Sequence, residues 1–149
     1  MGEQTEMEID PRGRKLLSEP NIGNLGFHGL DGYPRVVPVW FRLRESDLLI
    51  ASPPDAYKCR ALRADGRAAL TVSTPQAPYH VVSATGRVEV EVIEEEDRIA
   101  FVRDVATAYL GADGGRRYVE KWIRGGHPGP GDLLRLRIER VNYTSVSGE

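Results

Sequence analysis

The hydrophobic pattern changes period several times along the chain, and each change marks an element. Ile9, Leu16 and Leu17 are sparse apolar positions over Ile9 to Ser18. Asp10 stands as an N-cap before Pro11 at the first helical position, which predicts a short helix ended by Glu19-Pro20-Asn21. From Ile22 the pattern becomes strand-like. Ile22 to His28 is a short apolar run, Asp31-Gly32 is a hairpin turn that supplies positive φ, and Pro34 to Leu43 is rich in β-branched and aromatic residues. Arg44 to Asp47 is a second turn and Leu48 to Ser52 a third strand. Pro53-Pro54 breaks this meander, and Asp55 is the expected N-cap of a helix over Ala56 to Ala64, closed by Asp65-Gly66. Arg67 to Thr74 forms a strand, Pro75 to Pro78 a turn, and Tyr79 to Ile93 a long strand bent at Gly86. Within it Val88, Val90 and Val92 alternate with Arg87, Glu89 and Glu91, so one face is wet.

Helical period returns after Ile93. Glu94 to Leu110 carries an apolar stripe of Ile99, Val102, Val105, Ala106 and Tyr109, and its four leading acids suit the positive end of a helix dipole. Gly111 stops it, Arg116 to Ile123 is a further helix, Gly125 to Gly131 is a loop, and Leu133 to Val146 is a last strand. Six mostly antiparallel strands with a few inserted helices predict a mainly β, β+α domain over residues 9–149, built as a small closed barrel, with a loose tail over 1–8.

With 149 residues the chain has room for one domain with a real core. Its net charge of −2 removes indiscriminate DNA binding as an expectation, and a nucleic-acid-binding barrel ranks last because its wet faces mix Arg with Glu. No apolar run approaches the roughly 20 residues of a membrane span. The acidic start, Met1 to Glu8, is unlike a secretory signal, and a cytoplasmic location is expected.

One cysteine, Cys59, permits no intrachain disulfide and no Cys-rich zinc site; in an apolar helix it reads as core packing. His28, His80 and His127 are too far apart to form a ligand motif, so no metal is expected. The cations Lys58, Arg60, Arg63 and Arg67 surround a helix that follows a strand end, which reads either as a phosphate site or as a solvated face. Lys58 and Arg60 point to opposite sides of an ideal helix, so not all four meet one phosphate. Walker and Gly-x-Gly-x-x-Gly patterns are missing, which weighs against nucleoside triphosphate and Rossmann-type sites. Pro38, in the middle of a strand, marks an edge or bulge, or a stretch of backbone against which a planar ring docks.

Taken in order, Gly32-Tyr33-Pro34-Arg35-Val36-Val37-Pro38-Val39-Trp40-Phe41, Leu48 to Ser52, Lys58 to Arg67, and Tyr79 to Glu89 with Gly86-Arg87-Val88-Glu89 resemble the pyridoxamine 5'-phosphate oxidase-like split β-barrel proteins, also called FMN-binding-protein-like, over roughly residues 14–143. The resemblance implies a homodimer with a flavin, or the deazaflavin coenzyme F-420, at the subunit interface. By that similarity Lys58 holds the phosphate, with Arg60 and Arg63 as helpers. The backbone of Val37, Pro38, Val39 and Trp40 and of Ala51 and Ser52 lines the ring, and Tyr79 and His80 approach it from the next strand. The Pro-Val-Trp strand is similar to the F-420 branch, whereas Ala61 and Gly66 replace an Asn and a Pro common there. The C-terminal arginine pattern of vitamin B6 oxidases is not evident in Leu133 to Val146. The implied function is an F-420-dependent reductase passing hydride to an electron-poor small molecule. The alternatives are an FMN-dependent oxidoreductase and a carrier that binds cofactor without turnover. The resemblance names no catalytic side chain: the proton is given by His80, Tyr79 or water, and Gly125 to Gly131 is a lid or a plain connector.

Overall fold

The computed structural model describes residues 8–146; apart from Glu8, the expected tail lies outside the described residues. The chain begins with α1 (Pro11–Ser18), where the Asp10 carboxylate accepts from the Arg12 N–H, as the Asp-Pro start predicts. Seven strands follow: β1 (Gly23–His28), β2 (Pro34–Val39), β3 (Arg42–Arg44), β4 (Asp47–Ser52), β5 (Arg67–Ser73), β6 (Tyr79–Ile93) and β7 (Gly131–Val146). Helix α2 (Tyr57–Ala64) lies between β4 and β5, and α3 (Glu95–Arg124) between β6 and β7. No helix among the described residues is long and apolar enough to cross a membrane.

All strand pairs are antiparallel, in the order β2-β1-β5-β6-β7-β4-β3. Inward side chains of both halves meet in one core that includes Leu25, Phe41, Leu48, Leu62, Leu70 and Leu134. Removing that apolar area from water is the main favourable term in folding. Cys59 belongs to this core, with its Sγ donating to Ser52 Oγ at 3.2 Å. Burial pushes its thiol above the usual value, so it stays protonated where exposed thiols ionise. A thiol reagent at pH 8 should therefore label the native protein far more slowly than the protein unfolded in guanidinium. Equal rates would place Cys59 at the surface.

Three expectations are corrected. The sheet has seven strands, because the predicted Pro34–Leu43 strand is broken at Trp40 and Phe41. Trp40 leaves the ladder to stack on Tyr109, with ring centroids 5.0 Å apart, and the Phe41 N–H donates to the Tyr109 hydroxyl at 3.1 Å. The barrel is not closed, since β2 and β3 are opposite ends of the sheet order, joined through Trp40-Phe41 rather than by a ladder. Asp55 is not the cap of α2. The N-cap is Ala56, without a side-chain bond, because Asp55 has φ 55° and its N–H donates to the buried Asp132 carboxylate at 2.9 Å.

The long β6–β7 arm pairs from Tyr79↔Val146 to Ile93↔Gly131, with a register shift between Thr85 and Gly86 where the bend is expected. Its wet face carries cross-strand pairs, Arg135 to Glu91 at 2.7 Å and Arg137 to Glu89 at 2.8 Å. The valine face thins along the strand, from buried Val88 to exposed Val92. Helix α3 reverses at Gly111 (φ 82°, ψ 173°), so the two predicted helices form an antiparallel hairpin. Its arms come so close that a Cβ on Gly115 would lie 2.7 Å from the Thr107 Cα.

Candidate active site

A cleft lies where the barrel fails to close. β2 is an edge strand, and the β3–β4 pairing ends at Arg42↔Leu49, which leaves Ile50 to Ser52 without a partner on that side. Backbone groups there are available to a ligand. Pro38, Val39 and Trp40 from the β2 end and Ile50 and Ala51 from β4 line a cleft of about 240 Å³. Lys58, in the first turn of α2, and Val102, Val105 and Tyr118 of the α3 hairpin complete its lining. Trp40 is held between two tyrosines, stacked on Tyr109 and tilted against Tyr118 at 5.3 Å. Tyr109 anchors this stack by donating its hydroxyl to the Asn21 carbonyl at 2.7 Å.

Of the residues expected from sequence, the structure brings Pro38, Val39, Trp40, Ala51 and Lys58 to this cleft. Val37 is turned toward the core. Ser52 is buried beneath the cleft, donating to the Pro53 carbonyl. The cation cluster separates into distinct commitments. Arg63 pairs with Asp132 at 3.1 Å and with Asp55 at 3.5 Å, Arg67 pairs with Asp65 at 2.7 Å, and Arg60 lies over the Tyr57 ring at 5.5 Å. The guanidinium of Arg67 holds the Asp65 carboxyl far below the usual carboxylate range. Lys58 makes no ion pair among the described residues and is the one cation of the cleft lining.

Tyr79 and His80 lie elsewhere. Ser52 sits opposite Asp132, which sits opposite Val92, so the cleft adjoins the last residues of β6 while Tyr79 and His80 begin it. At about 3.3 Å per residue, roughly 40 Å of strand separates them. Tyr79 is exposed, and His80 faces the inner side with Val82 and Ala84. The three histidines stand apart, and no group of metal-binding side chains occurs among the described residues. The Gly125–Gly131 loop is tied down by the buried Arg98, which donates to the carbonyls of His127 at 2.7 Å and Gly129 at 3.2 Å.

Ile50, Val102, Val105 and Tyr118 were not expected at the site. Val102 and Val105 are visible as an apolar stripe, and Tyr118 as part of the next helix. Which surface that stripe covers depends on the turn at Gly111, which the stripe does not encode.

The unclosed antiparallel sheet is the split barrel that the sequence resemblance implies. A family model described as pyridoxamine 5'-phosphate oxidase matches residues 9–145. The chain belongs to this family. Solved structures that share its fold include an F420 reductase, 22% identical over 87% of this chain and 94% of that one, with a TM-score of 0.67. A FAD-binding protein from Mesorhizobium loti is 23% identical over 94% of this chain and 96% of that one, with a TM-score of 0.63. A heme binding protein from Mycobacterium smegmatis is 20% identical over 95% of this chain and 57% of that one, also at 0.63. At these identities the likeness is one of fold. No curated protein matches the chain. The pyridoxamine 5'-phosphate oxidase family includes oxidoreductases and binds flavins, and the observed cleft has a mostly apolar lining with one cation, Lys58.

Proposed function

We propose that this protein is an F-420-dependent oxidoreductase, a homodimer that holds the deazaflavin in the seam cleft and reduces an electron-poor small organic molecule. The observation that carries this reading is the charge of the cleft. Lys58 is its one cationic lining residue, while Arg63 and Arg67 are neutralised by carboxylates and Arg35 by Asp31 at 2.7 Å. The phosphate of F-420 is a diester with a single negative charge, which one ammonium pairs, while the carboxylates of its acidic tail lie beyond that phosphate and outside this charge count. The phosphate of FMN is a monoester approaching two charges at neutral pH, and such a group calls for two or more cations. The resemblance of the Pro38-Val39-Trp40 strand to the F-420 branch supports the same choice.

When bound, the deazaflavin supplies the hydride chemistry, and the protein supplies position and electrostatics. Lys58 Nζ holds the phosphate. The unpaired backbone edges of β2 and β4 flank the ring, and Pro38, which has no N–H, leaves a smooth apolar surface there. Val102, Val105, Trp40 and Tyr118 keep water from the slot. Arg60 is the nearest further cation on α2, and Arg63 contributes by fixing that helix rather than by meeting the ligand. Tyr79, exposed on β6, reaches such a cleft only from a second copy, which is the role a homodimer would give it.

The test is a fluorescence titration of the purified protein with F-420 and with FMN, followed by a search for substrate-dependent oxidation of reduced F-420. Tighter binding of F-420 with turnover supports the proposal. Preference for FMN replaces it with the flavin oxidoreductase, and tight F-420 binding with no turnover across electron-poor enones and nitroaromatics replaces it with a carrier.

A further inference from the structure

The end of the barrel under α1 holds a polar cluster that the seam cleft does not use. His80 on β6 and Tyr143 on β7 face the inner side of the sheet, where an apolar pair would be the cheaper filling. His80 Nδ1 and the Tyr143 hydroxyl share a hydrogen bond of 2.6 Å, which orients the imidazole and leaves Nε2 without a hydrogen-bond partner among the described residues. α1 crosses this opening closely, since a Cβ on Gly13 would lie 3.2 Å from Val82 Cγ2 and 3.7 Å from the Tyr143 Cβ. Between α1 and the strands is a second cavity of about 280 Å³, lined by Arg12, Lys15, Leu16, Glu19, Thr74, His80 and Tyr143. The mouths of β-barrels are recurrent ligand sites.

The commitments of the lining groups narrow the ligand. Arg12 is held by both oxygens of Asp10 and lies 4.4 Å from the Tyr143 ring centroid, so it forms part of the wall. The Thr74 hydroxyl accepts the His80 N–H at 3.0 Å and serves the β5–β6 turn. Lys15 and Glu19 are 3.8 Å apart and well exposed, a pairing too weak to hold the lysine against a ligand. Three polar groups therefore remain uncommitted, the Lys15 ammonium, His80 Nε2 and the Glu19 carboxylate; the first two are the ones that can meet an anion, beside the apolar surfaces of Leu16 and the Tyr143 ring.

We propose that this cavity is a second binding site, and that it takes a small aromatic carboxylate. The ring of the ligand packs on Leu16 and Tyr143, and its carboxylate meets Lys15 Nζ and His80 Nε2. Within one chain the cavity shares no lining residue with the seam cleft, and its test uses protein without cofactor, so it stands or falls separately from the reductase reading.

Benzoate is the probe, titrated into 15N-labelled full-length protein, with benzamide and acetate as the uncharged and ringless comparisons. Benzoate should give saturable shifts at the amides of Lys15, Thr74, His80 and Tyr143, and each comparison should bind roughly fivefold or more weakly. Lys15→Gln, at an exposed position, should keep the native spectrum and weaken benzoate roughly five- to tenfold, and His80→Ala should do the same. No saturable shift at these amides, equal binding of benzoate and benzamide, or an unchanged affinity in Lys15→Gln overturns the proposal.

Discussion

Lys58→Ala should weaken F-420 binding roughly ten- to hundredfold while leaving the melting temperature of the free protein almost unchanged. A hydrogen bond to a charged group contributes about 1.5–3 kcal/mol, and each 1.4 kcal/mol is about a factor of ten in affinity. The stability half of the expectation follows from the structure: Lys58 lines the cleft and makes no ion pair among the described residues, so the fold loses little with it. Arg63→Ala should behave in the opposite way. Its guanidinium bridges Asp55 and the buried Asp132, so removing it leaves a carboxylate short of its partner and lowers stability before it touches the cleft. Fluorescence titration and thermal melts of the two variants separate these roles. Equal losses of affinity in both would make Arg63 a phosphate ligand.

Gly86→Val should be among the most destabilising single changes in the sheet. At the register shift between Thr85 and Gly86 the strand runs so close to β7 that a Cβ would be driven into the Arg137 carbonyl, which is backbone and cannot turn aside. A cost of about 3 kcal/mol is the order expected for such forced repacking, and for a chain of this size it lowers the melting temperature by roughly 6–12 °C. Gly26→Ala is the control. There the nearest atom to the added Cβ is the Ala69 carbonyl oxygen at 3.7 Å, an ordinary contact, and the melt should move by less than about 2 °C. Calorimetry of both variants checks the pair, and similar melts would mean that β6 can slip past the shift without strain.

Local signals in the chain carried most of the architecture. The Asp10-Pro11 start of α1, the Gly32 turn with φ 85° and the bounds of β6 at Tyr79 and Ile93 are each written in adjacent residues. What failed depends on distant partners. The break between β2 and β3 is made by Tyr109, far along the chain, which draws Trp40 out of the ladder and takes the Phe41 N–H. Asp55 looks like a cap until Asp132 claims its backbone. Helical spacing shows that the four cations cannot all meet one phosphate, but it does not show that Asp65 and Asp132 take two of them. Pro38 and Lys58 stand out in the chain by themselves, whereas Val39, Trp40 and Ala51 are pointed to only by the family resemblance. The α3 wall was not legible, because an apolar stripe states that a helix is covered without stating by what.

The excursion that carries that wall leaves the sheet at Ile93 and returns at Gly131, and these two residues are register partners. The stem is thus already zipped when the hairpin begins, and the hairpin is anchored to the barrel by the Trp40–Tyr109 stack, the Tyr109 hydroxyl and Asp104, which pairs with Arg42 at 3.1 Å and Arg44 at 2.9 Å. Such a segment behaves as a cassette. Its length can change beyond Tyr109 without re-registering β6 against β7, so the wall of the cleft is free to vary faster than the sheet beneath it.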